Sequence, residues 1–426
     1  MDPTSIEIQP LQQPLDAVVK VPGSKSYTNR ALLVAALAAG KSQLNGALFS
    51  DDTDYMAQSL RKLGVDVQAD AAANSFEVIG NGGQIPVDSA ELYIGNSGTT
   101  SRSIISYIAL GHGTFVVDGD GPMRTSRPIA DLLDALRQLG VDARSQSGND
   151  CLPVVVNANG CKGGKTRLDA SKSSQFLTSL MLAAPYTDNG IDIEMIGEFK
   201  TQYIDITMAV MQAFGVEVAH ENYRSFHIAN APRYQPCTYA IEPDASNASY
   251  FFAAAAITGG RVRVNDINIH SAQGDIHFVD VLEQMGCTVN RYDDGIEVIG
   301  PDRLKGIDVD MKSISDTSLT LAAIAPFADG PVRIRNIEHS RLQETDRVKA
   351  MATELDRLGI DVTEHQDGIT VQPSPIKPAA VDTYEDHRVA MSFSLVGLKA
   401  PGVHINNPGC VSKTFPTYFE VWDALR

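Results

Sequence analysis

Leu60-Arg-Lys-Leu-Gly64-Val-Asp-Val67 returns four more times along the chain. It recurs as Leu136-Arg-Gln-Leu-Gly140-Val-Asp-Ala143, Met211-Gln-Ala-Phe-Gly215-Val-Glu-Val218, Leu282-Glu-Gln-Met-Gly286-Cys-Thr-Val289 and Leu355-Asp-Arg-Leu-Gly359-Ile-Asp-Val362. The five glycines follow one another at intervals of 71 to 76 residues. Each phrase reads as the last turn of an amphipathic helix, stopped by a glycine that can take the left-handed conformation, and followed by a strand.

A second series interleaves with the first. Its members begin near Ser24, Asn96, Ser171, Asp244, Ser315 and Asp386, each with Ser, Asn or Asp ahead of a run of small apolar residues. Those residue types are good N-caps, so capping is by itself a sufficient reason for any one of them. Strands of alternating β-branched residues lie between, such as Thr114-Phe-Val-Val-Asp118, Phe76-Glu-Val-Ile79, Ile296-Glu-Val-Ile299 and Gly368-Ile-Thr-Val371. The order is βαβαββ, and the chain holds six copies with twelve helices. A period this long excludes the common helical solenoids.

The last amphipathic helix, Tyr418 to Leu425, ends where the next glycine would stand, and Ser5-Ile-Glu-Ile-Gln9 reads as the strand that should follow it. The N-terminal strand is therefore expected to complete the sixth unit. The expected fold is α/β with two similar domains of three βαβαββ units each. Residues 1–22 and 243–426 form one domain and residues 23–242 are inserted as the other. The chain crosses near Pro22 and Pro243, with the ligand site in the cleft between the domains.

The 426 residues carry a net charge of −17, which disfavours a nucleic-acid partner. The longest apolar run, Ala31 to Gly40, is too short to span a bilayer, and no signal peptide opens the chain. Five cysteines without a CxxC pair suggest a reducing cytoplasm, and nine histidines show no metal-ligand spacing. Two domains of this size can each bury an adequate core, so a monomer is expected.

Against this acidic background the cations at helix starts stand out: Lys25, Arg30, Arg102, Arg127, Arg347, Arg388 and Lys413. Helix N-termini attract anions through unpaired N–H groups and the helix dipole. Val21-Pro-Gly-Ser-Lys25-Ser26-Tyr-Thr-Asn-Arg30 lacks the Walker A pattern but places Lys25 at a helix mouth and Arg30 about one turn further on. Asn96-Ser-Gly98-Thr-Thr-Ser-Arg102 is a glycine-containing helix start. Gly121-Pro-Met-Arg124-Thr-Ser-Arg127-Pro128 puts two arginines ahead of a helix expected to begin at Pro128. Ser171-Lys-Ser173-Ser174-Gln175 offers hydroxyls and an amide. In the second half, Gln343-Glu344-Thr-Asp346-Arg347 and Asp386-His387-Arg388 mix carboxylates with cations, as does Asp316 with Lys413, a pattern that suits tuned acid/base groups.

Taken together these motifs resemble the EPSP synthase branch of the enolpyruvyltransferases, over essentially the whole chain. The resemblance rests on Gly98-Thr with Arg102, Arg127-Pro-Ile, Ser173-Ser-Gln-Phe-Leu-Thr, Tyr203-Ile-Asp-Ile-Thr, Gly274-Asp-Ile, Glu344-Thr-Asp-Arg347, Asp386-His-Arg388 and Lys413-Thr-Phe-Pro416. It implies transfer of the enolpyruvyl group of phosphoenolpyruvate to the 5-hydroxyl of shikimate 3-phosphate, with small-molecule substrates and no metal or organic cofactor. It implies that Lys25, Ser26, Arg30, Ser173, Ser174, Gln175, Tyr203, Asp316, His339 and Gln343 contact shikimate 3-phosphate. It implies that Lys25, Gly98, Arg127, Gln175, Arg347, Arg388 and Lys413 contact phosphoenolpyruvate, with Gly98 leaving room for the ligand. Asp316, alone or with Lys25, would be the base and Glu344 the acid.

The chain departs from the family's usual residues at Gln343, where Lys is common, and at His339, Lys200 with Thr201, and Ser103. The related enolpyruvyltransferase acting on UDP-N-acetylglucosamine usually has a reactive cysteine before the Arg-Pro helix. The stretch from Asp118 to Arg127 has none. A non-catalytic binding relative is the third reading.

Overall fold

The computed structural model describes residues 4–198 and 201–425. Contacts divide the chain into two units, one made of Met1–Pro22 with Pro243–Arg426 and the other of Gly23–Glu242.

Each unit is built around three helices that are buried on nearly every side. In the inserted unit these are Lys25–Leu37, Gly98–Ile108 and Gln175–Ala183. In the other they are Ala245–Thr258, Ser318–Ile324 and His387–Gly397. Every residue from Ala245 to Ile257 is buried. A helix apolar all round belongs at a centre rather than on a surface. Runs such as Ala253-Ala-Ala-Ala256 let the helices of a unit approach closely, and each trio packs together. Fully burying a side chain such as Phe251 or Leu321 contributes about 1.5–3 kcal/mol.

Around each trio stand three sheets and the amphipathic helices. Asp51–Lys62 and Arg347–Arg357, for example, bury one face and expose the other. The repeated glycines stop these helices as the sequence predicts. Gly64, Gly140, Gly215, Gly286 and Gly359 have φ of +86°, +86°, +87°, +100° and +78°. A side chain there would be strained, and at Gly359 a Cβ would also stand 2.6 Å from Lys377 Cδ.

The sheets share one topology. Ser89–Tyr93 runs parallel to His112–Asp118, which is antiparallel to Val154–Asn159, which is antiparallel to Asp142–Ser145. Two sheets borrow their first strand from a distant part of the chain. Thr238–Ala240 pairs in parallel with Ala39–Asn45, and Asp16–Val19 pairs in parallel with Arg261–Asn265. So the strand just ahead of helix Lys25–Leu37 does not belong to that helix's own unit. The sixth sheet has three strands, with Ser5–Ile8 antiparallel to Val403–Asn406, as expected of the N-terminal strand.

Two details differ from the sequence reading. Among the described residues there are thirteen α-helices rather than twelve, because Gly121–Thr125 forms a short extra one with Asp120 as N-cap. Pro122, not Pro128, stands in its first turn, and the next helix begins at Ala130. Chain geometry thus uses Pro128 as a linker between two helices. Lys200 lies outside the described residues.

Candidate functional site

In the inserted unit the starts of two central helices are tied to each other, and the start of the third is tied to the helix Asp51–Lys62. Lys25 is the first residue of helix Lys25–Leu37, and its Nζ lies 3.3 Å from the buried Asp52 Oδ2. Gln175, which opens helix Gln175–Ala183, donates from Nε2 to Thr99 Oγ1 at 3.2 Å on helix Gly98–Ile108. Ser173 Oγ accepts from the Gln175 backbone N–H at 3.3 Å, and Ser174 leaves its hydroxyl out of any cap.

Arg30 points inward and is buried. It donates to Thr207 Oγ1 and the Ser26 carbonyl at 2.9 Å, and to Thr178 Oγ1 and the Tyr203 carbonyl at 3.3 Å. All four acceptors are uncharged oxygens. Burial lowers the guanidinium from its ordinary value to about 10, with smaller opposing effects from Tyr203 and Tyr27.

Gly98 sits beneath two arginines. A Cβ there would be 2.4 Å from Arg127 Nη2 and 2.9 Å from Arg102 Nη1. The glycine therefore makes room for the protein's own guanidinium groups. Arg127 Nη1 is fixed by Asn96, donating to its carbonyl at 2.9 Å and its Oδ1 at 2.6 Å. Arg124, quoted beside Arg127 in the sequence, instead pairs with Asp118 on the surface.

The second unit holds a denser cluster. Arg347 opens helix Arg347–Arg357, and its side chain is 2% exposed. It donates from Nε to Asp386 Oδ2 at 2.7 Å, from Nη2 to Glu344 Oε2 at 2.9 Å, and from Nη1 to Asp316 Oδ1 at 3.2 Å. The same Nη1 donates to Gln343 Oε1, and Gln343 Nε2 reaches Asp316 Oδ1 at 3.5 Å. Arg388 donates to Asp316 Oδ2 at 3.0 Å, and Lys413 Nζ to Glu344 Oε1 at 2.9 Å. Asp386 caps helix His387–Gly397 by accepting from the Arg388 backbone N–H at 2.9 Å. His339 lies in the 3-10 turn Glu338–Leu342, immediately before Gln343.

Burial opposes the charge on Arg347, but Asp386, Glu344 and Asp316 outweigh it and hold the guanidinium above its ordinary value. Arg388 is held up in the same way, burial being outweighed chiefly by Asp316. Asp275 was quoted only within the Gly274-Asp-Ile motif, yet it belongs here. Its Oδ2 accepts from Ser246 Oγ at 2.6 Å, and burial, with Asp316 next in importance, raises the carboxyl to about 7. Asp52, Asn96 and Asp386 are further residues that the sequence reading left without a role in binding or catalysis. Of these, Asn96 and Asp386 had a signal, their places in Asn96-Ser-Gly98 and Asp386-His387-Arg388.

The arrangement collects cations and carboxylates on the same few residues. Such a set can grip a phosphate or carboxylate and move protons beside it. Among the described residues no cluster of three or more His, Cys, Asp or Glu is suited to a metal.

The model of the family described as EPSP synthase (3-phosphoshikimate 1-carboxyvinyltransferase) matches residues 10–422. A protein named 3-phosphoshikimate 1-carboxyvinyltransferase from Trichormus variabilis is 49% identical over 416 residues, which is 97% of each chain. One of the same name from Marinomonas sp. is 45% identical over 99% of each chain. Among solved structures, EPSP synthase from Acinetobacter baumannii superposes with a TM-score of 0.83 at 26% identity, covering 99% of this chain and 98% of that one. An enolpyruvyl transferase from Streptomyces tendae shares the fold, with a TM-score of 0.74 at 18% identity over 99% and 96% of the two chains.

Proposed function

Because the chain belongs to the EPSP synthase (3-phosphoshikimate 1-carboxyvinyltransferase) family, we propose that it transfers the enolpyruvyl group of phosphoenolpyruvate to the 5-hydroxyl of shikimate 3-phosphate, releasing phosphate. The observation that carries this reading is the cluster at Arg347. Three cations, Arg347, Arg388 and Lys413, are held on Asp316 and Glu344, two carboxylates suited to proton transfer.

In this reading the chemistry is addition followed by elimination. Asp316, with Lys25, takes the proton of the 5-hydroxyl as its oxygen attacks C2 of phosphoenolpyruvate. Glu344 delivers a proton to C3. The resulting tetrahedral phospho-ketal then returns a proton from C3 and loses phosphate from C2, which restores the double bond. Arg127, Arg347, Arg388 and Lys413, with Lys25, Gly98 and Gln175, are assigned to the phosphate and carboxylate of phosphoenolpyruvate. Each well-placed donor of this kind contributes about 3–4 kcal/mol when charge develops against it.

Shikimate 3-phosphate is assigned to Lys25, Ser26, Arg30, Ser173, Ser174, Gln175 and Tyr203, with Asp316, His339 and Gln343. The free hydroxyl of Ser174 and the carboxylate-free Arg30 support that assignment. Gln343 stands where a lysine would put a fourth cation. Its hydrogen bonds to Arg347 and Asp316 keep those two groups in register without adding charge. The protein is proposed to work in the cytoplasm as a monomer, without cofactor.

The test is phosphate release from the purified protein with both substrates and with each omitted in turn. Release that requires both is expected. No release while both substrates bind would overturn the transferase reading.

A further inference from the structure

Helix Arg347–Arg357 grips one stretch of chain twice. Arg347 holds Asp386 at its first turn. Seven residues on, and so on the same face of the helix, Glu354 reaches back to the segment that leads to Asp386. Glu354 is fully buried. Its Oε2 accepts from the Asp382 backbone N–H at 3.1 Å and its Oε1 from the Tyr384 hydroxyl at 2.5 Å.

The segment so held is a tight turn of an unfavourable kind. The Asp386 N–H donates to the Thr383 carbonyl at 2.8 Å and closes it around Tyr384 and Glu385, whose φ are +53° and +57°. Two successive left-handed residues are what Asn-Gly supplies readily, whereas tyrosine and glutamate adopt them at a cost. Asp382 is anchored as well, by Asn406 Nδ2 at 2.7 Å and Arg357 Nη1 at 2.8 Å. The next residues out of the turn are Asp386, which carries the Arg347 fork and the helix cap, and Arg388, which holds Asp316.

We propose that Glu354 and Tyr384 are positioning residues that hold this turn in its left-handed form, fixing the spacing of Arg347, Asp386 and Arg388 and so the grip on phosphoenolpyruvate. The part concerning phosphoenolpyruvate rests on the reading given above, while the brace itself rests on the geometry. Tyr384→Phe removes one hydroxyl from a side chain whose ring is partly exposed, so folding should survive it.

The expected result is a rise of about tenfold in KM for phosphoenolpyruvate, with KM for shikimate 3-phosphate within about twofold of wild type. Amide hydrogen exchange over residues 382–388 should quicken by about tenfold, with helix Ala245–Thr258 unchanged. Glu354→Gln should do the same. Adding Glu385→Gly to Tyr384→Phe should recover part of the loss, because glycine takes the left-handed conformation freely. Unchanged exchange over 382–388 would overturn the brace. Equal changes in both KM values with a lowered melting temperature would show a general loosening and overturn the positioning role. If the wild type releases no phosphate, the transferase reading falls, and the exchange measurement still decides the brace.

Discussion

Replacing Arg30 with methionine tests whether this cation is held ready for an anion or serves as a clamp between helices. Methionine is unbranched and similar in length but carries no charge. Burial brings the guanidinium down by between two and three pKa units, to about 10. At 1.36 kcal/mol per pKa unit, that is a penalty of about 3 kcal/mol on the charged form. Against it stand four hydrogen bonds to neutral oxygens. Removing the arginine strands few of those acceptors. Thr178 and Thr207 bond one another at 2.9 Å, and Thr207 Oγ1 already donates to the Tyr203 carbonyl at 2.9 Å. Gain and loss therefore nearly cancel, and the stability of the ligand-free variant should lie within about 1 kcal/mol of wild type. Ligand-linked stability should not survive. Shikimate 3-phosphate at 100 times its Kd raises wild-type stability by about 2.7 kcal/mol, and Arg30→Met should lose most of that increment. Denaturant unfolding with and without shikimate 3-phosphate measures both quantities. The sign of the pH effect follows from the lowered value. Above about pH 10 the unfolded chain binds a proton that the native one does not, so wild-type stability rises with pH relative to the variant there. A ligand-free loss of about 3 kcal/mol or more, the size of a severed buried network, would make Arg30 a clamp. A ligand increment equal to wild type would remove it from the substrate site.

Gly98→Ala places a Cβ 2.4 Å from Arg127 Nη2, so the guanidinium must move by about 1 Å to reach ordinary contact; steady-state kinetics should show a several-fold higher KM for phosphoenolpyruvate, and an unchanged KM would place Arg127 outside the site. Asp275→Asn should gain stability relative to wild type as pH rises from about 4 to 7, because the native state keeps a proton there that the unfolded chain releases, and the difference should level off above about pH 7; unfolding curves across that range that run parallel would refute it. Glu344→Gln removes the carboxylate that occupies Lys413, so phosphoenolpyruvate measured by calorimetry should bind at least as tightly while turnover falls about 10²–10⁴-fold; weaker binding would mean that Glu344 orients Lys413 rather than competing for it.

Much of the fold could be read because its signals are local. Gly64 and its four counterparts stop helices by a backbone conformation that the residue type announces, and the positive φ values follow. Ser5–Ile8 could be assigned to the last sheet because the repeat left one strand missing at the other end of the chain. The exchange of leading strands was not legible, since Asp16–Val19 looks locally like any strand ahead of a helix, and only tertiary pairing sends it to Arg261–Asn265. The helix expected at Pro128 failed for a similar reason: Pro122 and Pro128 both carry the N1 signal, and Asp120 gives the cap to the first. In the site, residue types at helix mouths pointed to the cations, but their partners lie far away in sequence. Asp316 meets Arg388 across 72 residues and Arg30 meets Thr207 across 177, distances over which no periodicity reports.

Arg30 and the cations around Arg347 hold positive charge in opposite ways, and the difference bears on how acid/base chemistry could be gated. Arg30 is surrounded by neutral oxygens, so an arriving anion finds a cation that nothing else neutralises locally. In the other unit the cations come already paired: Lys413 with Glu344, Arg388 with Asp316, and Arg347 with both and with Asp386. An anionic group of phosphoenolpyruvate entering there must share or displace carboxylates to reach them. The carboxylates most exposed to that competition are Asp316 and Glu344, the pair proposed to move protons. Asp386 is different, since it also caps a helix and is completely buried, so it stays with Arg347 whatever else binds. On this reading Asp386 is the fixed counter-ion that keeps Arg347 in place while its other two partners are drawn away. Binding of phosphoenolpyruvate and release of the catalytic carboxylates are then one event, which would keep both groups ion-paired until their substrate is present.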